Sequence, residues 1–482
     1  MALQKTYDLF IDGRWVPAAK GERLAVENPA TGDVLAEVAN GTSEDVDRAV
    51  AAAKQAMPGW SRRTATERAD DLYRLIGLIK RDAEHLARTI TREMGKPIRE
   101  ARVEVAFATD LLRFAAENTR RLEGEILPGS RSGEKILIDR KPVGVVGAIA
   151  AWNFPLALVA RKLGPALAAG NAIVIKPHEM TPLAALELAR LVAEADIPAG
   201  VVNIVTGDGP RVGVPLVAHP DTRLITMTGS TSAGKKIMAA AAEHLKIVRL
   251  ELGGKAPFIV ADDADIDRAV EAAVVSRFGN AGQVCTANER TYVDAKIYDI
   301  FAARLRARIE KLKVGDPLDE ATDMGPKVCG PELEKVDQMV RRAVEQGAKL
   351  ERGGARLTGG LYDRGQFYAP TLLTGVTGTM DIARNEVFGP VLSLIRVDSY
   401  EDAIRQANAS RYGLSAYVFT NSLDRIMKIN AELEFGEVYV NRESGESAHG
   451  FHHGYRDSGI GGEDGQHGLE AYVETQTIYL NA

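Results

Sequence analysis

From about residue 143 onward, short apolar runs alternate with longer amphipathic segments, and this alternation is the feature that most constrains the fold. The short runs predict buried strands, and the segments between them predict helices. Parallel strands need a crossover connection that usually contains a helix, so the pattern predicts a parallel sheet covered on both faces. The predicted strands are 145–150, 172–175, 201–205, 224–227 and 247–250, and the predicted helices are 155–169, 182–193, 211–217 and 233–245.

The alternation starts again after residue 256 and predicts a second α/β domain, from about 256 to 440. A glycine-containing loop between its first helix and its second strand holds Cys285. The fold class predicted from the pattern is therefore α/β, with a parallel sheet in each of two domains. The predicted strands of the second domain are 257–260, 291–293, 392–396 and 416–419, and its predicted helices are 265–278, 298–312 and 332–346.

Two segments fit neither domain. Residues 123–142 place turn residues between two extended runs, which is typical of a β-hairpin. The tail at 472–480 is rich in β-branched and aromatic residues and predicts a strand. Exposed strand edges need a partner, which another subunit could supply. The alternative is that both segments pair within the chain.

Composition limits the partners and the compartment. The chain has 60 lysines and arginines against 66 aspartates and glutamates, a net charge of −6, so nucleic-acid binding is not expected. Two cysteines and no cysteine–histidine run of zinc spacing predict neither a disulfide framework nor a metal site. The first fifteen residues lack the apolar core of a signal peptide, and the apolar stretch at 143–152 is too short to span a bilayer. We therefore expect a cytoplasmic protein without a membrane partner.

Two glycine-rich segments each follow a predicted strand and open a predicted helix. TGDGPRVG at 206–213 has the spacing GxGxxxG where the dinucleotide fingerprint has GxGxxG. GSTSAGKK at 229–236 matches a P-loop up to Lys235, but Lys236 stands where a serine or threonine would hold magnesium. Both segments still predict a glycine turn at a helix N-terminus, which is an anion site. The alternative for each is a tight turn without a ligand.

The strand end IVIKPHE at 173–179 places a cation, Lys176, and a carboxylate, Glu179, at the carboxyl edge of the first sheet. Nucleotides bind at this edge in doubly wound sheets. A carboxylate can accept hydrogen bonds from both adenosine-ribose hydroxyls and would repel a 2'-phosphate, which favours NAD over NADP. The alternative is a solvated turn.

Cys285 lies among small residues in FGNAGQVCTANER, which suits a thiol that substrate and cofactor can reach. The alternative is that it is an inert small hydrophobic residue, as most lone cysteines are. Cys329 has no polar neighbours in the sequence that suggest chemistry, and we expect it to be structural.

Two further residues are candidates for acid–base and oxyanion chemistry. Glu251 ends an apolar strand in RLELGGKAP, where burial could raise its pKa and make it a base; alternatively it pairs with a cation such as Lys255. Asn153 in AWNFPLA precedes a predicted helix whose first residue is Pro155. Its amide could stabilise an oxyanion or cap that helix.

Taken in order, these motifs resemble those of the NAD(P)-dependent aldehyde dehydrogenase superfamily. The resemblance extends from about residue 7 to the end of the chain. Segments at 441–450, 450–454 and 458–469 resemble most the lactaldehyde and glycolaldehyde dehydrogenases of that superfamily. The motifs are WNFP at 152–155, KPHE at 176–179, TGSTSAG at 228–234, LELGGK at 250–255, GQVC at 282–285, EVFGP at 386–390 and SGIGG at 458–462.

The resemblance implies an aldehyde dehydrogenase-like fold and a homo-oligomer, either a dimer or a tetramer. It implies a Rossmann-type NAD-binding domain from 1–122 and 143–255 and an α/β catalytic domain at 256–440. Residues 123–142 and 470–482 would form a β-hairpin oligomerisation arm, which favours pairing with another subunit over pairing within the chain. Residues 441–469 would return to the active site and the NAD-binding domain.

The resemblance also implies catalytic roles. Cys285 matches the nucleophile, and Glu251 matches the base that activates the deacylating water. Asn153, with the backbone N–H of Cys285, matches the oxyanion hole. Lys162 and Glu463 match a lysine–glutamate pair on a proton path.

The implied cofactor is NAD. Two positions depart from the superfamily pattern: His178 stands where serine or alanine is common, and Gly462 stands where arginine is usual. The first departure leaves the detail of the adenosine site open. The residues expected to contact the cofactor are Ala150, Ala151, Trp152, Lys176, His178, Glu179, Gly209, Gly213, Thr228, Gly229, Ser230, Gly234, Leu252, Glu386 and Phe388.

The expected substrate is a small polar aldehyde. Arg161 shares a helix face with Phe154, because seven residues make nearly two turns. Lactaldehyde and glycolaldehyde fit best by resemblance; succinate semialdehyde and sugar-derived aldehydes are alternatives. An ion pair of Arg161 with Glu443 or Glu446, without substrate contact, is the structural alternative. The residues expected at the substrate are Arg161, Thr286, Glu443, His449 and His452, with Arg442 nearby.

Three other functions are disfavoured by residues of this chain. A CoA-acylating relative would not need Glu251 to activate water. A non-catalytic structural relative would be expected to lack Cys285 or Glu251, and both are present. A P-loop NTPase is disfavoured by Lys236.

Overall fold

The computed structural model describes residues 3–481. Residues 1, 2 and 482, at the outer ends of the predicted domain and arm, lie outside the described residues. An eight-stranded sheet carries the first predicted alternation, and its five central strands are parallel. In spatial order its strands are Gly459–Ile460, Ile247–Glu251, Thr222–Thr228, Val145–Ile149, Ala172–Lys176, Val202–Ile204, Leu9–Ile11 and Arg14–Val16.

The strand order places a topological switch point in this sheet. The chain moves outward from Val145–Ile149 through Ala172–Lys176, then returns to the other side of Val145–Ile149 at Thr222–Thr228. Ligands bind outside the carboxyl ends of the strands at such a point. The helices between the five parallel strands are Ala157–Ala168, Leu183–Glu194, Val214–Ala218 and Thr231–Ala241.

A seven-stranded sheet carries the second alternation, and only its edge strand Lys349–Arg352 runs antiparallel to its neighbour. The remaining strands, in spatial order, are Thr371–Thr374, Val391–Val397, Asn288–Asp294, Ala256–Val260, Ser415–Phe419 and Glu437–Val440. The helices of this region are Ile266–Phe278, Tyr298–Ile309, Gly330–Glu345, Asp381–Arg384, Tyr400–Asn408 and Leu423–Glu432.

Helix Ile98–Asn118 packs directly on helix Ala157–Ala168, and this contact shapes one wall of the site described below. Gly164 permits the close approach, since a β-carbon there would lie 3.1 Å from the Ala115 Cβ. Glu104 accepts hydrogen bonds from the first backbone N–H groups of the second helix, Leu156 at 2.9 Å and Ala157 at 3.2 Å. The other N-terminal elements are helices Ser43–Ser61, Ala65–Arg81 and Ala83–Met94 and strands Thr6–Tyr7, Arg23–Glu27 and Val34–Ala39.

The predicted hairpin and tail form a three-stranded sheet, which we call the arm. Strands Glu125–Pro128 and Glu134–Pro142 form the hairpin, and Val473–Asn481 pairs with the second of them along its whole length. The favoured expectation, that these segments would not pair within the chain, is therefore wrong. The continuous antiparallel ladder pairs one edge of Val473–Asn481 with Glu134–Pro142. The arm still has two free edges, at Glu125–Pro128 and at Val473–Asn481.

Element boundaries differ from the predicted ones near proline, glycine and left-handed residues. The helix predicted at 211–217 is a π-helical turn at Gly209–Gly213 followed by Val214–Ala218. The helix predicted to reach 245 ends at Ala241, because a 3₁₀ turn follows and Leu245 has a φ of 47°. The short remaining elements are strands Tyr412–Gly413 and Tyr455–Arg456 and helix Gly465–Glu470. None of the helices within residues 3–481 has both the length and the apolar character that crossing a bilayer requires.

Candidate active site

A cavity of about 980 Å³ opens at the carboxyl ends of the central parallel strands, at the topological switch point. One half is lined by residues expected to bind the cofactor, and the other half contains Cys285. Gly234 is the exception among the expected cofactor residues, since it does not border the cavity. A β-carbon at Gly234 would lie 2.6 Å from the Leu252 Cδ2, so this glycine permits helix packing. The expected cofactor residues that border the cavity are Ala150, Ala151, Trp152, Lys176, His178, Glu179, Gly209, Gly213, Thr228, Gly229, Ser230, Leu252, Glu386 and Phe388.

The N-terminus of helix Thr231–Ala241 opens into the cavity at Ser230 and Ser232. Ser230 is the N-cap and accepts a hydrogen bond from the Ala233 N–H at 3.3 Å. A β-carbon at Gly229 would lie 2.4 Å from the Met227 Cε, so the glycine lets that methionine pack against the turn. A free helix N-terminus behind a glycine turn is a site for phosphate. This part of the cavity fits a dinucleotide pyrophosphate.

A carboxylate lies at the far end of the same half. Glu179 Oε2 accepts a hydrogen bond from the Lys176 Nζ at 2.9 Å, and about a third of the Glu179 side chain is exposed. Burial alone would raise the pKa of Glu179, but the charge and hydrogen bond of Lys176 help to hold it below its ordinary value. Burial lowers the pKa of the adjacent His178 to about 4, so this imidazole is neutral at pH 7. The carboxylate is thus available to accept hydrogen bonds from ribose hydroxyls.

Glu386 and Phe388 border the middle of the cavity. The Gly254 N–H donates to Glu386 Oε1 at 2.7 Å, and burial raises the pKa of Glu386 to about 7. Gly253 permits this approach, since a β-carbon there would lie 2.5 Å from Glu386 Oε2. Phe388 has a φ of 53° and packs edge-to-face on Trp152 with 5.3 Å between ring centroids.

Cys285 follows a strained turn that Asn153 helps to hold. Within Gly279–Gly282, Asn280 and Ala281 have φ values of 48° and 53°. The Asn153 Nδ2 donates to the Gln283 carbonyl at 3.0 Å, and the Asn280 Nδ2 donates to the Asn153 carbonyl at 3.2 Å. Burial raises the pKa of the Cys285 thiol, and His452 opposes that shift. The asparagine amide predicted for the oxyanion hole is therefore next to the cysteine loop and keeps a second N–H free for another acceptor.

Glu251 lies behind the cavity wall and is 3% exposed. Neither of its carboxylate oxygens has a hydrogen-bond partner among the described residues, and burial raises its pKa to about 8. The closest cationic group is His452, whose Nε2 lies 3.4 Å from Glu251 Oε2. Burial lowers the pKa of His452, but the surrounding carboxylates Glu446, Glu251 and Glu437 raise it well above its ordinary value. His452 is therefore an imidazolium between the thiol and the candidate base.

Arg161 borders the cavity and is enclosed by two carboxylates. Its Nη2 lies 2.5 Å from Glu446 Oε2 and 2.8 Å from Asp464 Oδ2. The guanidinium also covers the ring of Phe107 at 5.6 Å. The ion pair with Glu446, which the sequence left open as an alternative, is thus present.

Two of the residues expected at the substrate lie elsewhere in the structure. Glu443 and His449 are exposed and do not border the cavity, and Arg442 is exposed as well. Ser444, Gly445 and Glu446 line it instead, because the irregular chain here has no helical or strand period to fix which residues face inward. Thr286 borders the cavity as expected.

Lys162 lies behind the wall and is fully buried. Its Nζ donates to Glu463 Oε1 at 2.6 Å and to the Thr228 Oγ1 at 2.8 Å, and the Thr226 hydroxyl donates to the same glutamate oxygen. The lysine and glutamate paired in the sequence interpretation are thus in contact. Their place on a proton path stays a prediction.

Three groups of this site were not anticipated as functional: Glu437, Asp464 and Asn280. Glu437 begins a strand of the other sheet, and its Oε1 lies 3.1 Å from the His452 Nδ1. Asp464 has a φ of 64° and Asn280 a φ of 48°, and no sequence motif marks them. Potential ligand atoms of Glu437, Glu446 and His452 lie within 4.8 Å of one another, and their opposite charges account for that cluster.

Comparison with known proteins places these residues in a family context. Residues 15–478 match the aldehyde dehydrogenase family. The chain is 46% identical over 477 residues to a 3,6-anhydro-alpha-L-galactose dehydrogenase of Vibrio sp. (strain EJY3), covering 99% of each chain. It is 45% identical over 484 residues to the lactaldehyde dehydrogenase of Escherichia coli (strain K12), covering both chains completely.

A solved structure of 3,6-anhydro-L-galactose dehydrogenase in complex with NAP (NADP) matches with a TM-score of 0.97 at 45% identity. The match covers 99% of this chain and 100% of that one. The cavity, the cysteine loop and the strand-end carboxylate described above thus lie on a shared fold. The chain belongs to the aldehyde dehydrogenase family, as the resemblance of its motifs predicted, and is an enzyme that uses a nicotinamide cofactor.

Proposed function

We propose that this enzyme oxidises a small hydroxylated aldehyde, such as lactaldehyde or glycolaldehyde, to the carboxylic acid with NAD as the preferred cofactor. The observation that carries the proposal is the polar network of Arg161, Glu446 and His452 beside the thiol of Cys285 in one cavity. An aliphatic chain would desolvate these groups without offering partners, at about 1–3 kcal/mol for each group. A hydroxyl can both donate to a carboxylate and accept from an imidazolium.

Cys285 supplies the covalent step. After the thiol proton has passed to water, its sulfur forms a bond to the aldehyde carbon while the carbonyl electron pair moves to oxygen, where the Asn153 amide and the Cys285 backbone N–H stabilise the charge. The nicotinamide, when bound, accepts the hydride that leaves this carbon. Cys285 then holds the acyl group as a thioester until water cleaves the carbon–sulfur bond and the thiolate leaves.

Glu251 is the candidate base for that water. At a pKa of about 8 it is mostly protonated at pH 7, and the basic form increases as pH rises through that value. His452, as a cation within reach of both Cys285 and Glu251, favours the ionised form of each. Lys162 and Glu463 lie behind the same wall and are proposed to pass the proton on.

The relatives leave a second substrate class open. One is named for 3,6-anhydro-alpha-L-galactose and another for lactaldehyde. A sugar-derived aldehyde would satisfy the same polar network and is the alternative favoured by the first relative. Succinate semialdehyde is the remaining alternative from the sequence, and its charge is treated in the next subsection.

We also propose the division into domains given above, with the cofactor half of the cavity built mainly on residues 143–255. Both cysteines are free, which suits a cytoplasmic location.

Replacing the nucleophile should abolish oxidation without abolishing cofactor binding. We expect Cys285→Ala to lower kcat by about a thousandfold or more, since no other side chain can form the thioester. NADH formation with glycolaldehyde measures activity, and quenching of intrinsic fluorescence measures NAD binding. Cys329→Ala, which removes a thiol outside the cavity, is the matched control and should keep full activity. Activity of Cys285→Ala within tenfold of wild type would refute the assignment.

Glu251→Gln should trap the acyl-enzyme. The base acts after hydride transfer, so a burst of NADH should precede slow turnover. In the wild type, the deacylation rate should rise with pH up to and past about 8 as Glu251 loses its proton, and the variant should lose this rise. Stopped-flow absorbance between pH 6 and 9 checks both effects. Loss of the burst itself would instead indicate that Glu251 activates the thiol.

Glu179 should set the preference for NAD. A 2'-phosphate brought against this ionised carboxylate would place like charges together. We expect Glu179→Ala to raise the NADP/NAD ratio of kcat/KM by about tenfold, or 1.4 kcal/mol. Glu243→Ala, at an exposed glutamate outside the cavity, should leave the ratio unchanged. An unchanged ratio in Glu179→Ala would contradict the role.

We infer that the arm joins subunits into a dimer or tetramer. Its outer strands have free edges, and Ile126 and Tyr479 on them are 72% and 69% exposed. Free edges with exposed apolar side chains invite pairing with another chain.

A double substitution on the arm should break the assembly. We expect Ile126→Glu with Tyr479→Glu to reduce the mass measured by light scattering to a smaller species, because burying two carboxylates at an interface is unfavourable. Leu423→Glu changes an equally exposed side chain outside the arm and should leave the mass unchanged. An unaltered mass in the double variant would exclude the arm as the interface.

A further inference from the structure

Among the described residues, the cations that border the thiol half of the cavity, Arg161 and His452, both lie against carboxylates, and so does Lys96 behind it. Lys96 pairs with Glu104 and lies 3.5 Å from the centre of the Phe154 ring. His452 faces the three carboxylates described above. Arg161 is the remaining cation bordering this half. Whether its guanidinium is already neutralised by a carboxylate decides whether an anionic substrate finds a partner.

The guanidinium of Arg161 is held along one edge by carboxylates of this chain. Nη2 contacts both Glu446 and Asp464, and the side chain is 5% exposed. The Nε–H is buried without a hydrogen-bond partner, so it does not reach the open space of the cavity.

The two carboxylates that enclose Arg161 are not equivalent. Burial raises the pKa of Asp464 to about 7, so this group carries only part of a charge at neutral pH. Burial also raises the pKa of Glu446, but the positive charges of His452 and Arg161 lower it by more. The pKa of Glu446 is therefore below its ordinary value. Glu446 borders the cavity, whereas Asp464 does not. Glu446 is therefore the ionised partner of Arg161 that an incoming substrate meets in the cavity.

We propose that Glu446 masks Arg161 and thereby excludes aldehydes that carry a carboxylate at their other end, so that neutral hydroxylated aldehydes are selected. The proposal rests on the function proposed above and names the group that sets the substrate class. Without Glu446, the guanidinium of Arg161 would be a suitable partner for a substrate carboxylate. With Glu446 bound to it, Arg161 is unavailable to succinate semialdehyde or a similar acid.

The electrostatics of the cavity favour this selection. A substrate carboxylate at Arg161 would be a further anion beside Glu446 and Asp464, and like charges at this distance oppose ionisation. Glu100 lines the same cavity and adds a partly ionised group, because burial raises its pKa to about 7 while its Oε2 accepts the Asn280 N–H at 2.8 Å. A neutral hydroxyl, in contrast, can donate to Glu446 without displacing it from Arg161.

Neutralising Glu446 should therefore create a carboxylate site. In Glu446→Gln the amide keeps the size of the side chain and can still accept from Arg161, but the cluster around the guanidinium loses one negative charge. We expect kcat/KM for succinate semialdehyde to rise by tenfold or more. The value for butanal, an uncharged aldehyde of the same chain length, should change less than threefold.

Two further variants separate charge masking from general disturbance. Glu443→Gln removes an exposed glutamate three residues away that does not border the cavity, and it should leave all values unchanged. Arg161→Met combined with Glu446→Gln should lose the gain for succinate semialdehyde, because the freed cation is absent.

The outcomes distinguish this proposal from the proposed function. If the wild type prefers succinate semialdehyde to glycolaldehyde, or if folded Glu446→Gln gains nothing, the masking is refuted while the aldehyde chemistry stands. If the wild type oxidises none of these aldehydes, the proposed function fails. Binding then tests the masking: succinate should slow alkylation of Cys285 by iodoacetamide in Glu446→Gln and not in the wild type. The masking is refuted if succinate protects Cys285 equally in both proteins. It is also refuted if succinate protects Cys285 in neither protein.

Discussion

Two consecutive cations on one buried helix hold the site together. Arg161 binds Glu446 and Asp464, and Lys162 binds Glu463, so the segment 441–469 is attached to helix Ala157–Ala168 by two adjacent residues. Consecutive helical side chains diverge by about 100°, which lets the pair reach separate parts of that segment. Removing one partner of a buried ion pair typically costs about 3–5 kcal/mol, because the other charge stays buried. The register of this segment on the helix is thereby fixed.

The register of segment 441–469 on the helix sets the position of the His452 imidazole. His452 and Glu463 exchange backbone hydrogen bonds in both directions, at 2.9 and 2.7 Å, so the glutamate held by Lys162 also sets the position of His452. The imidazole then meets Glu251 from the first sheet and Glu437 from the second. One cation thus bridges the two sheets at the point where the thiol and the candidate base meet.

The parts of the site that follow regular structure could be predicted from the sequence. Lys176, Thr228 and Glu251 end strands of one parallel sheet, so their convergence on one edge follows from the alternation of elements. Glu443 and His449 could not be placed, because the chain at 441–450 has no period that separates inside from outside. The partner of Val473–Asn481 lies more than 300 residues earlier in the chain, and a strand pattern does not identify its partner. The positions of the Asn280 and Asp464 side chains depend on backbone conformations with positive φ, which the sequence motifs do not predict.

A network that is nearly balanced in charge differs from a charged pocket in what it can recognise. Glu446 and His452 each keep an opposite charge nearby, so neither needs a counterion from the substrate. What His452 lacks is a hydrogen bond at Nδ1, which is buried without a partner among the described residues that meets hydrogen-bond geometry. A carboxylate can only accept hydrogen bonds and adds charge, and an alkyl chain can do neither. A hydroxyl both donates and accepts while adding no charge, so it can complete this network without unbalancing it.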